Sequence, residues 1–541
     1  MRPNRNPGAG WLSLLSVWAA GLFLVSAVAS TLIAYDPPAA GLRLASLLLG
    51  LGICGLLVLA GCRGWAWVFT GVGYAATLVS LLLGIRSRFV GPNEMAVAAG
   101  ALALLLPLQA GSLLLAHLRG QRLGVALLGS TWVLCAWLLI LTGERTAWLA
   151  VVVGVITAVL YGSRLPMRLR RTWQWTGVGW IGVLAILGAV YVSLLLGSPV
   201  PTKIALALPT EIAERAALWQ QMLGLVGDYR FTGSGLGMTA MVASSYLFLL
   251  HVPLYYHAHN TLIQIALEQG APGVAAFVGM AVGAAGLARD VAMQQDRRLR
   301  VVGTCGFAAV AVGVAHGLLD SELYASVWAP LFFLPLGYGW AAYAYARQSA
   351  LRFTALGSFH LRVLGIAALT VVTGLGLWTG LGGRAAWYAN LGAVAQTRVE
   401  LSVYHWPEWG WQDQVRRLPA GNLEPALGFL QAALAEDAEN LTALRRLGQI
   451  ALSRGEYSLA QRFLLAAYLA HPQDRMVRQL LGECYALDGA LSDAAQMWQS
   501  IDVTHDQLGL RQAWYKALGN SRYQQRMQEA IELYERGHAP P

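Results

Sequence analysis

The chain has 541 residues, of which 56% are hydrophobic and 12% are charged, and its formal net charge is +10. Because soluble domains carry about 25% charged residues, this composition excludes a purely soluble protein. Five scattered cysteines and long apolar runs exclude a disordered chain and a disulfide scaffold. Nucleic-acid binding is disfavoured as well, since the arginines lie between apolar segments rather than along one face. The sequence therefore predicts a polytopic membrane protein with a soluble part attached.

Eleven apolar runs are long enough, at about 20 residues each, to cross a bilayer as helices. They lie at 11–34, 41–61, 64–84, 95–118, 121–142, 146–162, 173–197, 263–288, 301–319, 326–346 and 359–381. The first run also resembles a signal peptide, with Arg2 and Arg5 before it and Ala27-Val28-Ala29 towards its end, but the ten further runs favour an uncleaved helix. We therefore predict an all-α fold, a membrane bundle of eleven spans followed by a soluble helical part.

Arginines are concentrated in alternate loops, and this bias predicts the orientation. Since loops rich in basic residues stay in the cytoplasm, we expect a cytoplasmic N-terminus. Three elements then lie on the outer side: a long loop at 198–258, the turn at Glu144-Arg145, and everything after residue 382. Arg86 and Arg88 are exceptions to this bias, because they lie in a loop assigned to the outer side. The loops assigned to the cytoplasm carry Arg2, Arg5, Arg63, Arg119, Arg122, Arg164, Arg168, Arg170, Arg171, Arg289, Arg297, Arg298, Arg300, Arg347 and Arg352.

A repeat of 34 residues is present after residue 420. Gly421, Gly455 and Gly489 recur at this spacing, and so do the alanines at 426, 460 and 494. Apolar residues keep helical spacing within each unit, and a helix–turn–helix period of this length resembles the tetratricopeptide repeat. Such repeats present a binding surface and rarely do chemistry. We therefore predict a membrane domain at 1–382, a linker at 383–420 and a docking module at 421–541.

The most informative polar segment is Tyr256-His257-Ala258-His259-Asn260, where the long loop re-enters the membrane. Thr261 with Gln264 fits a capping box, which predicts a helix start with His259 just before the first turn. A helix N-terminus favours a nearby anion and a neutral imidazole. A neutral histidine beside an anion site suits a general base for a hydroxyl nucleophile. Alternatively, His257 and His259 only cap the helix or lie at the headgroup level.

Two arginines of the predicted outer side are candidates to bind an anion. Arg145 lies at the ends of two adjoining spans, where a charge is costly unless it is paired or used. Arg215 lies on a predicted helix of the long loop, with Trp219 on its apolar face. The alternatives are simple ion pairs, namely Arg145 with Glu144 and Arg215 with Glu211 at i, i+4.

Two sets of potential metal ligands are weak. His251, His257 and His259 supply three imidazoles, but no carboxylate lies close by in the sequence. Asp320 and Glu322 form an acidic pair on the predicted outer side that could hold a divalent ion, but exposed loop carboxylates usually hold none. The cysteines form no CxxC pair. We therefore predict no metal site and no cofactor.

The motif His259-Asn260, nine residues, Gly270-Ala-Pro-Gly273 resembles the hallmark of the bacterial O-antigen ligase family. That family also includes O-antigen polymerases and certain O-oligosaccharyltransferases. The resemblance covers roughly residues 10–380, and the repeat tail is an addition seen in only some members. Further features match the family in the right order: an Arg-Thr-Ala-Trp turn at Arg145, an Arg-x-x-x-Trp helix with Arg215 and Trp219, and a turn at 229–235.

The resemblance implies that a glycan passes from a polyprenyl (undecaprenyl) diphosphate to an acceptor hydroxyl on the outer face of the bacterial cytoplasmic membrane. It also implies a fold similar to the GT-C glycosyltransferases and an inverting reaction without metal. His259, Arg145 and Arg215 are the catalytic residues that the resemblance implies. Both arginines would bind the diphosphate, whose developing charge needs bidentate cations. The supporting motif residues are His257, Asn260, Gly270, Gly273 and Trp219.

The acceptor is left open by the sequence. A ligase joins the glycan to lipid A core, a polymerase joins repeat units, and an O-oligosaccharyltransferase modifies a protein. A transporter of lipid-linked glycans is disfavoured because the membrane part shows no internal repeat. A scaffold that acts through its repeats would tolerate the loss of His259. We expect as partners the lipid-linked donor, one of these acceptors, the bilayer, and a protein on the repeat tail.

Overall fold

The computed structural model describes residues 8–90, 92–162, 210–248, 256–347, 357–404, 410–418, 422–501 and 503–537. Within these ranges the chain forms 22 helices and no strand. The all-α fold class predicted from the sequence is therefore confirmed. One predicted span, at 173–197, lies outside the described residues.

The other ten predicted spans all coincide with helices. Six precede the long loop: α1 Gly8–Ile33, α2 Pro37–Cys62, α3 Val68–Val90, α4 Pro92–Leu118, α5 Arg122–Thr142 and α6 Arg145–Gly162. Within the described part of the loop lie α7 Thr210–Val226 and α8 Thr239–Phe248. The remaining helices of the membrane part are α9 Thr261–Ala292, α10 Arg297–Leu319, α11 Glu322–Ala325, α12 Ala329–Arg347 and α13 Gly357–Gly380.

Not all of these helices are long and apolar enough to cross a membrane. In the described part, six are: α1, α2, α4, α5, α9 and α10. A seventh span results if α13 is joined with α14 (Gly383–Leu401), from which it is bent by 82°. The prediction of eleven spans also counts 173–197 and three helices, α3, α6 and α12, that are shorter or more polar. The apolar part of α3 is Val68–Leu83, and that of α6 is Arg145–Tyr161. The chain is a multi-pass membrane protein.

Small residues bring the membrane helices close together, as is usual where lipid replaces water. α1 packs along α9, where a side chain added at Gly279 would meet Ala19. α2 packs along α12, where one added at Gly50 would meet Phe333. α4 is the most buried of the six long apolar helices. It therefore lies inside the bundle, whereas α5 leaves large apolar side chains such as Trp137 exposed on the outside of the bundle.

The segment predicted as a linker is largely helical. It contains α14 and α15 (Gln412–Arg417), and α14 packs against α16 (Glu424–Glu436). At this contact a side chain added at Gly392 would collide with Leu430, so the glycine permits the close approach. The linker segment thus begins the helical stack of the tail rather than separating it from the membrane part.

The repeat tail continues as pairs of antiparallel helices. Two of the repeated glycines end helices in the left-handed conformation, Gly455 at φ 84° and Gly489 at φ 95°. A residue with a side chain is strained at such a C-cap, which explains the glycine period seen in the sequence. The helices are α17 Leu441–Arg454, α18 Tyr457–Ala470, α19 Arg475–Asp488, α20 Leu491–Gln499, α21 His505–Ala517 and α22 Ser521–Arg536.

Candidate active site at the start of α9

The start of α9 is fixed by Asn260. Its side-chain Oδ1 accepts hydrogen bonds from the backbone N–H groups of Leu262 at 2.9 Å and Ile263 at 3.1 Å. Its Nδ2 donates to the carbonyl oxygen of Leu318, near the end of α10, at 2.9 Å. The capping box predicted from Thr261 and Gln264 is therefore wrong by one residue, because Asn260 is the N-cap. His259 still lies directly before the cap, so it is held at the helix N-terminus.

Gln264 has a different role from the one predicted. Its Oε1 accepts a hydrogen bond at 3.0 Å from the backbone N–H of Ala258, which lies between the two histidines. Its Nε2 donates to Thr239 of α8 at 3.0 Å and to Glu268 at 2.8 Å. Buried hydrogen bonds therefore hold the chain in the turn that presents His257 and His259.

This turn places His259 at φ 48°, the only positive φ of a residue other than glycine among the described residues. A left-handed conformation of this kind costs about 1–3 kcal/mol and persists only where the surrounding contacts impose it. Such strain is concentrated at functional sites. Here the hydrogen bonds of Asn260 and Gln264 on either side of it supply the constraint.

Two acidic residues after α10 face the histidines. The Nε2 atom of His257 lies 2.9 Å from Oε1 of Glu322, within hydrogen-bond distance. The Nδ1 atom of His259 lies 3.6 Å from Oδ2 of Asp320, which is an ion-pair distance but too long for a hydrogen bond. The two imidazole rings are 4.4 Å apart and nearly perpendicular. The loop after α10 therefore orients both histidines from one side.

The carboxyl groups around His259 differ in their pKa values. Burial raises the pKa of Asp320, but the contact with His259, the nearby His316 and the N–H of Glu322 outweigh it and lower the pKa to about 2. Asp320 is thus a carboxylate at neutral pH. Burial, followed by the charges of Asp320 and Glu322, raises the pKa of Glu144, against the effect of Arg215 and His259. The turn before α6 therefore belongs to the same electrostatic site.

Arg215, one of the two predicted arginines, is hydrogen-bonded to the end of α10, next to the acidic loop. Its Nη1 donates to the carbonyl oxygen of Leu319, the last residue of α10, at 2.5 Å. Arg145 begins α6 with an exposed side chain next to Glu144. Trp219, one turn after Arg215, packs against the core. The side chain of Glu211, the alternative partner of Arg215, lies outside the described residues.

The two glycines of the motif allow a break in α9. Gly270 has φ 69° and ψ −171°, and a side chain there would lie 2.7 Å from the backbone of Phe231. The backbone N–H of Ala271 donates to the carbonyl oxygen of Arg230 at 2.8 Å. Gly273 has no room for a side chain, since a Cβ atom would lie 2.5 Å from Gln269. The turn at 229–235 therefore inserts into α9 and ties the long loop to the helix of His259.

Three side chains of the site can hold a metal ion. The candidate ligand atoms of His257, His259 and Glu322 all lie within 4.8 Å of one another. Two imidazoles and a carboxylate are typical ligands of zinc and similar divalent ions. The sequence hypothesis used His251 instead, which lies outside the described residues. It considered Glu322 only in the acidic pair with Asp320, and it did not combine Glu322 with the histidines because they are distant in sequence. The absence of a metal requirement stays a prediction.

The sequence analysis also missed a buried ion pair that is connected to the site through Gln264. Arg43 of α2 lies 3.6 Å from Glu268 of α9, and both side chains are buried. The guanidinium also lies over the ring of Tyr324 at 4.5 Å and donates to the carbonyl oxygen of Ser326 at 3.2 Å. Ionisable residues within membrane spans are costly and usually functional. The sequence signal that could have indicated this pair is the isolation of Arg43 and Glu268 within apolar runs. Through Gln264, this pair supports the turn of His259.

Comparison with known protein families agrees with the resemblance seen in the sequence. Residues 130–278 match the family model described as O-antigen ligase. Residues 418–484 match a tetratricopeptide repeat. No curated protein matches the sequence. The matched segment includes Arg145, Arg215 and the motif from His259 to Gly273, whereas Asp320 and Glu322 lie beyond it.

Proposed function

We propose that this protein transfers a glycan from a polyprenyl diphosphate to an acceptor hydroxyl, with the site around His259 facing the outer side of the cytoplasmic membrane. The single observation that carries the proposal is the environment of His259. It is constrained at a helix N-terminus, beside the carboxylate of Asp320, and in the electrostatic neighbourhood of Arg215. The O-antigen ligase domain supports glycan transfer of the ligase or polymerase type.

In the proposed step, the acceptor oxygen forms a bond to the anomeric carbon of the glycan. The bond between that carbon and the diphosphate oxygen breaks, and the electron pair leaves with the polyprenyl diphosphate. Nε2 of His259 takes the hydroxyl proton, since Nδ1 faces Asp320. Asp320, whose low pKa keeps it charged, stabilises the imidazolium that results. Attack opposite the leaving group inverts the anomeric centre.

The arginines act on the leaving group. A diphosphate gains negative charge as the glycosidic bond breaks, and positioned guanidinium groups stabilise that charge. Arg215 is held at the end of α10 by its bond to Leu319, and Arg145 projects from the first residue of α6. Both bind the diphosphate in this proposal. No cofactor takes part, because the lipid carries the activated sugar, and no metal ion is required.

The test uses purified protein in detergent with one lipid-diphosphate-linked repeat unit, EDTA and no added acceptor. His259→Ala is compared with His471→Ala, which changes an exposed histidine of the tail. A ladder of longer lipid-linked glycans that only His259→Ala abolishes identifies a polymerase. If the donor is unchanged, lipid A core and then a protein acceptor are added. Failure of every acceptor to yield product contradicts the proposal.

The metal requirement is tested in the same assay. We expect full activity in EDTA and inhibition by micromolar Zn²⁺, because ligation of His259 with His257 and Glu322 would block the proton acceptor. Zn²⁺ inhibition should weaken in Glu322→Gln relative to Glu456→Gln, which changes an exposed glutamate of the tail. Activity that EDTA removes and Zn²⁺ restores would contradict metal independence.

A further inference from the structure

The repeat tail is bound to the long loop through a buried carboxylate. Asp228 follows α7 by two residues and is 1% exposed. Three side chains of α17 donate to it: Arg445 through Nη2, Arg446 through Nε at 2.9 Å, and Thr442 through Oγ1 at 2.8 Å. Burial raises the pKa of Asp228, but the two arginines and Thr442 outweigh it and lower the pKa. The contact is therefore a charged one at neutral pH.

The same two arginines hold the loop on both sides of Asp228. Arg446 donates through Nη2 to the hydroxyl of Tyr229 at 3.0 Å and lies over its ring at 5.3 Å. Arg445 donates through Nη1 to the hydroxyl of Tyr246 in α8 at 3.0 Å and lies over its ring at 4.8 Å. Adjacent residues of one helix therefore fix both the turn after α7 and the helix α8.

The opposite side of this turn contacts the helix of the active site. The carbonyl oxygen of Arg230 accepts from Ala271, and the backbone N–H of Ser234 donates to the carbonyl oxygen of Leu267 at 2.7 Å. Between these contacts, Asn390 of α14 accepts from the backbone N–H of Phe231 at 3.0 Å. The turn therefore lies between the tail on one side and the break in α9 on the other.

We propose that the repeat tail is an intramolecular clamp and that Asp228 is a positioning residue for the active site. The clamp consists of Asp228, Tyr229, Tyr246, Arg445 and Arg446. It fixes the C-terminal end of α7 against the broken helix that presents His259. α7 is the helix that carries Arg215. This inference rests on the proposed function for the reaction, but the contacts that form the clamp do not.

The chemistry of the contact favours positioning over simple adhesion. A buried ion pair contributes little net stability, because removing two charges from water costs about as much as their attraction returns. Its strict geometry, however, permits one register between the partners. Here two arginines from one helix share a single carboxylate, so the loop can bind the tail in only one position. The face of α17 that a free docking module would offer to another protein is occupied by the chain's own loop.

The test compares Asp228→Asn with the wild-type full chain in detergent, by hydrogen–deuterium exchange and by steady-state kinetics. Asparagine keeps the shape of the side chain but removes the charge that the arginines bind. We expect faster exchange in peptides from 210–248 and 256–275. We also expect kcat to fall about 10- to 100-fold with little change in the acceptor KM, since a displacement of about 1 Å at a reacting group has an effect of this size.

Two further variants separate positioning from loss of folding. Arg384→Gln breaks an exposed ion pair between α14 and Glu436 of α16, and we expect neither exchange in the loop nor kcat to change. Thr442→Val removes one of the donors to Asp228 and leaves both arginines in place, so its effects should be in the same direction but smaller. Exchange in peptides from 457–499 must stay at the wild-type level for Asp228→Asn to be interpreted. If Asp228→Asn unfolds the tail, Thr442→Val becomes the test.

Either of two results overturns the clamp. One is unchanged exchange in the loop in a variant whose tail is folded. The other is faster exchange in the loop with an unchanged kcat, since the docking would then have no effect on the reaction. If the wild-type protein gives no product with any acceptor, the proposed function fails instead. In that case exchange at 256–275 decides the clamp, and unchanged protection of that segment overturns it.

Discussion

Two clusters of charged residues in this protein have opposite character. The His259 cluster consists of Glu144, Arg215, His257, His259, Asp320 and Glu322. Within it, Nδ1 of His259 and Oε2 of Glu322 are buried without a hydrogen-bond partner among the described residues. The tail cluster consists of Asp413, Glu483, Arg511 and Tyr515. There each of the four carboxylate oxygens accepts a hydrogen bond from Arg511, at 2.6–3.0 Å, and Tyr515 donates a further one to Glu483.

The difference indicates what each cluster is for. Buried polar groups in folded proteins are nearly always paired, and a group that is not paired requires an explanation. In the tail cluster the pairing is complete, so its charges hold α15 to α19 and α21. In the His259 cluster, the two buried atoms that lack a hydrogen bond and the left-handed backbone both cost free energy, and binding of a ligand can offset that cost. Substitutions in the His259 cluster should therefore lower activity, whereas substitutions in the tail cluster should lower stability.

The largest expected effect is on activity, from His259→Gly. Glycine adopts a φ of 48° without strain, so the variant loses the imidazole but relieves the backbone. We expect transfer rates to fall about 10²- to 10⁴-fold, as for the loss of a general base, with a melting temperature equal to or above that of the wild type. A rate within about threefold of the wild type would contradict the role of His259 as the base.

The tail cluster should respond in the opposite way. Asp413→Asn leaves Arg511 buried with incomplete pairing, which costs about 3–5 kcal/mol where a buried ion pair is broken. We expect a lower melting temperature and faster exchange in α19 and α21. Asp437→Asn, an exposed carboxylate of the same tail, is the control and should melt like the wild type. An unchanged melting temperature in Asp413→Asn would remove the distinction between the clusters.

Stability of the tail should also depend on pH. The Asp413 carboxyl has a pKa below its ordinary value, because the nearby Arg511, Arg416 and Ser453 outweigh the effect of burial. A carboxyl of this kind contributes stability above its pKa in the unfolded chain and loses it as the pH falls towards the lower folded value. The contribution of Asp413 is therefore complete at neutral pH and is lost only in strong acid.

The sequence predicted the elements of this protein better than their arrangement. The length of the apolar runs predicted the membrane helices, and the 34-residue spacing of the glycines predicted the helical tail, because both signals are local properties of the chain. The position of His259 before α9 was also local, although the cap is Asn260 rather than Thr261. The partners of His257 and His259 were not predictable, since Glu322 and Asp320 come from the end of another helix. No local signal pairs Asp228 with Arg446.

A smaller effect on activity is expected from Arg215→Lys. Lysine keeps the positive charge but lacks the planar group that binds a diphosphate through two N–H donors. It also loses the fixed bond to Leu319 that orients Arg215. We expect about a 10- to 100-fold lower kcat with a normal melting temperature, as for the loss of one donor to a developing charge. Arg462→Lys, on the tail helix α18, is the control, and equal rates in the two variants would remove Arg215 from the site.

The smallest expected effect comes from Glu144→Gln, and its sign depends on pH. Because burial and the charges of Asp320 and Glu322 raise the pKa of Glu144, the folded protein binds this proton more tightly than the unfolded chain does. The charged form therefore destabilises the fold above the raised pKa, and the penalty disappears as the pH falls through that value to the ordinary one. Glu144→Gln should therefore raise the melting temperature at neutral pH and should match the wild type in acid. The gain in the free energy of unfolding should be less than about 1 kcal/mol, because the side chain is partly exposed. A variant that is less stable at neutral pH would mean that Glu144 is held by a favourable pair, such as Arg145, and does not belong to the His259 cluster.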